Sequence, residues 1–188
     1  KPFVVSEKNN NSKPPWNGIV IEGNVEKKFI FDTILATDIV HFGNLRNRLI
    51  VLPILENKGK YEIVSDSNDK EIKNLEISKY LKQTEVYWKN NATAKSKEWS
   101  VYRRLNYNSD LVRQNPSSKY RVLYIVSGTY LTSCVVDLSK KFTKKIEKNK
   151  FTSSGNIVDY TNYYYDTNSK YEAYYLSSVL NSKILDDL

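Results

Sequence analysis

The residues of this sequence best suited to surface chemistry are arginines interleaved with aromatic rings. Arg103, Arg104, Arg113 and Arg121 lie among Trp99, Tyr102, Tyr107 and Tyr120. A guanidinium fork grips a phosphate or the O6 and N7 edge of guanine, and flat rings stack on bases. Asn106 and Gln114 add carboxamides, the groups that pair bidentately with adenine N6 and N7. Thr129, beside Ser127 and Gly128 in a turn, is a further candidate for reaching a groove. Downstream, Lys140, Lys141, Lys144 and Lys145 are the residue type that contacts phosphates without choosing a sequence, and Lys148 and Lys150 extend the cluster. That lysine cluster equally suits a solvated helix face. The alternative for Arg103 and Arg104 is surface pairing with Glu98 and Asp110, and for Gln114 the capping of a turn.

The charge distribution points the same way. The formal net charge is +8, but residues 79–151 hold 16 Lys and Arg against 5 Asp and Glu, whereas the rest of the chain holds 13 against 16. A local balance of +11 beside −3 concentrates positive potential in the middle of the chain and favours a polyanionic partner, nucleic acid first.

Catalytic groups are sparse by comparison. One histidine, His41, and one cysteine, Cys134, exclude a multi-histidine zinc site and an internal disulfide. Glu71-Ile72-Lys73 matches the E-x-K half of a magnesium nuclease signature, but no upstream aspartate completes it, and a charged helix explains it equally. There is no glycine-rich phosphate loop, no G-x-S-x-G elbow and no H-E-x-x-H helix. The expectation is a chain with no catalytic residues, no metal site and no cofactor of its own.

The elements that must position these side chains follow from periodicity. Residues 1–17, with Asn9-Asn10-Asn11-Ser12 and Pro14-Pro15, read as a loop or linker, and 18–188 as one domain. Ile19–Ile21 and Phe29–Phe31, separated by Gly23-Asn24, read as a hairpin. Arg48–Pro53 reads as a strand ended by proline, and Lys58-Gly59-Lys60 as the turn before Tyr61–Val64. Ile72, Leu75, Tyr80, Leu81 and Trp88 approximate helical spacing, which predicts a helix from about Asp69 to about Asn90. Trp99–Tyr107 suits a short helix or an extended loop. Tyr120–Val126 and Tyr130–Asp137, broken at Ser127-Gly128, form the clearest hairpin. A tyrosine-rich segment, Ile157–Tyr165, precedes a final helix whose Ala173, Leu176, Val179, Leu180, Ile184 and Leu188 share an apolar face. The fold class expected is α+β, a mixed or mostly antiparallel sheet with hairpins packed with two to three helices. No apolar run approaches the roughly 20 residues that span a bilayer, so no membrane partner is expected.

The order of segments in the second half carries a resemblance. Tyr80-Leu-Lys82, Trp88, Trp99, Tyr102-Arg-Arg-Leu-Asn-Tyr107, Leu111-Val-Arg-Gln114, Tyr120-Arg-Val-Leu-Tyr124 and Tyr163-Tyr-Tyr165 lead to Glu172-Ala-Tyr-Tyr-Leu176 and Leu180-Asn-Ser182. From about Val20 onward this resembles the C-terminal target-recognition region of N6-adenine DNA methyltransferases, especially fused type II restriction-modification enzymes. The resemblance implies a domain that reads double-stranded DNA and works with the methyltransferase catalytic domain of the same chain. Lys13-Pro14-Pro15-Trp16 is near the N-P-P-[YFW] motif of that family, but lysine stands where the base-gripping asparagine belongs. S-adenosylmethionine is therefore implied for the parent enzyme and not for these residues. A start at Lys1-Pro2 and the absence of methionine fit a piece of a longer chain, the single cysteine fits a reducing cytoplasm, and the resemblance implies a prokaryotic protein. The alternatives are a DNA specificity subunit of a multisubunit restriction system, a protein-interaction module, or a standalone magnesium-dependent nuclease.

Overall fold

The computed structural model describes residues 1–8, 16–64, 75–92, 97–128, 130–146 and 149–186. Lys13, Pro14, Pro15, Glu71, Lys73, Thr129, Lys148 and Leu188, all named above, lie outside the described residues. The fold is α+β, with short antiparallel strand pairs and α-helices; strands β3 (Ile30–Thr33), β4 (Ile39–Val40), β5 (Gly43–Asn44), β6 (Arg48–Val51), β7 (Ile54–Asn57) and β8 (Lys60–Ile63) lie between the pairs described below. The chain divides into two compact units: Lys1–Ile30, Val51–Leu55 and Glu62–Val112 in the first, Phe31–Ile50, Glu56–Tyr61 and Arg113–Leu188 in the second.

In the first unit, β1 (Phe3–Val5) pairs antiparallel with β2 (Glu22–Asn24), so the expected 1–17 linker contains a strand. Hydrogen bonds from Ser6 N to Ile21 O and from Val25 N to Pro2 O extend the pairing at both ends. This replaces the expected hairpin of Ile19–Ile21 with Phe29–Phe31. Helix α1 (Glu76–Asn91) buries Ile77, Ser78 and Leu81 and contacts β2. Leu75 is extended and the helix starts at Glu76; the expected start near Asp69 lies outside the described residues. The acid at its N-terminus is Glu26, from far upstream, whose carboxylate accepts the Glu76 and Ile77 N–H groups at 3.0 and 3.2 Å. Partial burial would raise the Glu26 carboxyl, but those N–H groups outweigh it and hold the group below its ordinary range. Ser100 caps α2 (Val101–Leu105) by accepting from Arg103 N at 3.2 Å, which decides Trp99–Tyr107 in favour of a short helix.

The second unit is built on three antiparallel strands in the order β10 (Ser133–Asp137), β9 (Tyr120–Ile125), β13 (Asn162–Thr167). Leu123 and Cys134 lie on one face with Ile34, Ile39 and Val158 in a buried cluster, against which Ile125, Val136 and Tyr164 pack. Burial pushes the Cys134 thiol up to about 12. Helix α3 (Lys170–Leu180) contacts all three strands and buries Ala173 and Ser177. Between β10 and β13 the chain forms a two-stranded ribbon, β11 (Thr143–Ile146) with β12 (Asn149–Thr152). The loop ahead of the sheet is fastened by Asp38, which is buried and ion-paired to Arg46 at 3.1 Å and Arg48 at 2.6 Å.

The C-terminal end of α3 is tied down by the leucine-asparagine-serine segment, and a separate short helix, α4 (Lys183–Asp186), follows where one continuous final helix is expected. Asn181 Nδ2 donates to Ser133 O at 3.0 Å, and Asn181 Oδ1 accepts from Ser133 N at 2.9 Å. One carboxamide thus satisfies both backbone groups of the first residue of β10, as a neighbouring strand would. Ser133 Oγ donates to Ser177 O at 3.1 Å in the same buried contact.

Candidate nucleic-acid interface

The arginine-aromatic cluster of the first unit assembles around α2. Trp88 Nε1 donates to Trp99 O at 3.1 Å, fixing the backbone that enters the helix. Trp99 and Tyr107 stack at 5.7 Å between centroids with an interplanar angle of 23°. The Arg103 guanidinium lies over Trp99 at 4.8 Å and that of Arg104 over Tyr107 at 5.8 Å. Arg103, Arg104 and Tyr107 are exposed, and Tyr102 is half-buried in the same helix. Among the described residues neither Arg103 nor Arg104 makes an ion pair, so the expected alternative of pairing with Glu98 or Asp110 is not what holds them. The stack keeps both guanidinium planes ordered while leaving their N–H edges available to phosphate or base acceptors.

Two carboxamides are removed from the base-reading set. Gln114 is 3% exposed: its Oε1 accepts from Val158 N at 2.8 Å, and its Nε2 donates to Val158 O at 2.9 Å. Its two bonding edges are used inside the protein, so it offers neither to an adenine. Asn106 is half-buried, and its Oδ1 accepts from Leu111 N and Val112 N at 3.1 and 3.2 Å. With the oxygen closing this turn, bidentate adenine recognition loses its acceptor. Asn108 and Ser109, at φ 52° and 61°, shape the same turn. Arg113 is exposed in the second unit.

Arg121, grouped with the surface arginines by sequence, is 1% exposed. It faces Asp166 across the β9–β13 ladder and is held bidentately, Nε to Oδ1 at 2.7 Å and Nη2 to Oδ2 at 2.8 Å. Nη1 donates to Asn156 O at 3.0 Å and Gln114 Oε1 at 3.3 Å, and the guanidinium lies 5.0 Å from the Tyr164 ring centroid. This arginine builds the sheet and does not meet a ligand.

The lysine cluster is on the ribbon and the turn before it, not on a helix. Lys140 pairs with Asp137 at 3.3 Å. Lys141, Lys144 and Lys145 are exposed. Lys144 stands opposite Phe151 and Lys145 opposite Lys150, so the two neighbouring lysines point to opposite faces of the ribbon. Lys150, outside the four expected phosphate contacts, is paired directly with Lys145 by the register. At the ribbon's foot lies a cleft of about 370 Å³ lined by Asp32, Tyr61, Asp137, Lys140, Lys141 and Asn156, among others.

No family model and no curated protein matches this chain.

Among the described residues no group of three His, Cys, Asp or Glu side chains is placed to hold a metal ion, and no helix is long and apolar enough to cross a membrane. The described structure therefore offers two cationic surfaces, one in each unit, whose donors suit a polyanion: the guanidinium-ring stack on α2 and the lysine ribbon.

Proposed function

We propose that this chain binds double-stranded DNA sequence-specifically, as the target-recognition domain of an adenine-N6 DNA methyltransferase in a prokaryotic, cytoplasmic restriction-modification system. The observation that supports it best is the Arg103-Trp99-Tyr107-Arg104 stack, in which two exposed guanidinium groups are ordered by rings and make no ion pair among the described residues. In this reading Arg103 and Arg104, with Arg113, supply base contacts, and Lys141, Lys144 and Lys145 supply phosphate contacts. S-adenosylmethionine chemistry belongs to the catalytic domain of the same polypeptide, and recognition belongs to these residues.

The test separates reading from anchoring. Arg103→Ala is expected to cost about 1–3 kcal/mol on the preferred duplex and to relax choice at one base position, whereas Lys144→Ala weakens all duplexes alike and lowers the salt slope by about 1. Competitive binding to a randomised duplex pool reads both. Uniform weakening by Arg103→Ala would move it to the phosphate set.

A second reading, a protein-docking module, is favoured by one observation. Tyr171, Tyr174 and Tyr175 on the outer side of α3 are 89%, 50% and 74% exposed. A docking surface of that kind shows no steep salt dependence, which distinguishes it.

A further inference from the structure

We infer that the β11–β12 ribbon is a groove-inserting element that enters the major groove of duplex DNA with its Thr143-Lys145-Lys150-Thr152 face inward; this rests on the DNA-binding reading above. Thr143 pairs with Thr152 and Lys145 with Lys150, so these four side chains share one face, and all four residues are exposed. Directly opposed like charges destabilise an antiparallel pair. Two ammonium groups in that position, with no ion pair among the described residues, form a site that favours an anion.

The other face is anchored. Phe151 is 8% exposed, and the residue after the ribbon, Ser153, is 2% exposed. Ser153 Oγ donates to Asp32 Oδ1 at 2.6 Å, and Ser153 N donates to Phe142 O at 2.9 Å. Asp32 is itself 2% exposed and accepts from Asn156 Nδ2 at 2.8 Å and Asn47 Nδ2 at 2.9 Å. A two-stranded ribbon held at its foot by a buried aromatic ring and a buried carboxylate presents its cationic face in a fixed orientation.

Dimensions favour a duplex over an acidic polypeptide. Paired strands stand about 4.8 Å apart, and a two-stranded ribbon with its side chains fits a major groove about 12 Å wide. Four residues of strand span about 10 Å, close to the rise of three base pairs at about 3.4 Å each. Lys145 and Lys150 rise from opposite strands, so their flexible stems diverge toward the phosphates on the two walls of the groove. The hydroxyls of Thr143 and Thr152, 3.2 Å apart, lie between those walls, where threonine can bond base edges.

The experiment compares the 188-residue chain with Lys145→Ala/Lys150→Ala and with a charge-matched control, Lys170→Ala/Lys183→Ala, on helices outside the ribbon. Affinity for a duplex is measured against salt, and guanine N7 protection from dimethyl sulfate reports major-groove occupancy. The ribbon variant is expected to lower the log-log salt slope by about 1.8 and to lose N7 protection over about three base pairs, while the control keeps both. Because the substitution removes an opposed like-charge pair, the variant is expected to melt no lower than the parent chain, so lost binding is not lost folding. Duplex binding that persists with an unchanged slope, or with N7 positions never protected, overturns the ribbon assignment and leaves the DNA reading standing. Equal affinity of the parent chain for polyglutamate, or no salt-dependent duplex binding by it, overturns the DNA reading and the ribbon with it.

Discussion

Replacing Asp166 with alanine is expected to destabilise the second unit by about 3–5 kcal/mol, the cost of leaving a buried charge uncompensated. Arg121 cannot escape by deprotonating, since a guanidinium stays charged in proteins. Its side chain is 1% exposed against 13% for Asp166, so water does not replace the lost carboxylate. The Asn156 carbonyl and Gln114 carboxamide that remain bound to Nη1 satisfy hydrogen bonds but carry no net charge. A double replacement, Arg121→Met with Asp166→Leu, is expected to recover most of the loss, because a buried pair exchanged for apolar groups of similar volume is often neutral or stabilising. Urea unfolding of the parent and the two variants checks both statements. A loss under about 1 kcal/mol in Asp166→Ala contradicts the pairing.

Asp32→Ala is expected to cost about 2–4 kcal/mol, as donors from Ser153, Asn156 and Asn47 lose a shared acceptor, each unsatisfied buried group costing about 1–3 kcal/mol where water does not reach it. The cleft beside Asp32 admits some solvent, so the loss stays below the sum of three. Asp32→Asn is expected to fall between, because one carboxylate oxygen becomes an NH2 group facing other donors. The loss also has a local signature. Ser153 anchors the ribbon, so amide hydrogen exchange at Ser153 is expected to accelerate more than exchange along β9. Equal acceleration at both would show that Asp32 stabilises the whole unit without fastening the ribbon.

Asp166 and Asp32 show where the sequence stops being legible. The β9–β10 hairpin is plain, since Tyr120–Val126 and Tyr130–Asp137 are β-rich runs around Ser127-Gly128. The lysine ribbon is not, because six lysines dominate the segment and suggest a solvated helix. The signal lies in Thr143, Ile146, Phe151 and Thr152, β-branched and aromatic residues that outweigh the charge. Arg121 and Gln114 carry the side chains that DNA recognition needs, but those same groups serve a buried ion pair and a backbone clasp equally well. Only the partners, Asp166 at 45 positions and Val158 at 44 positions along the chain, distinguish the uses. Non-local pairing likewise overrode the expected hairpin, since β2 pairs with β1 across a separation that local pattern does not encode. By contrast, Trp99, Arg103, Arg104 and Tyr107 are close in sequence and assemble within one short helix and its flanks, so spacing alone brought them together.

The most direct test of DNA binding is the affinity of the 188-residue chain for duplex DNA between about 50 and 200 mM salt. Phosphates neutralised by Lys141, Lys144, Lys145 and, on the ribbon face, Lys150 predict log K falling linearly with log salt at a slope of about −3.6. A slope near zero would contradict the account.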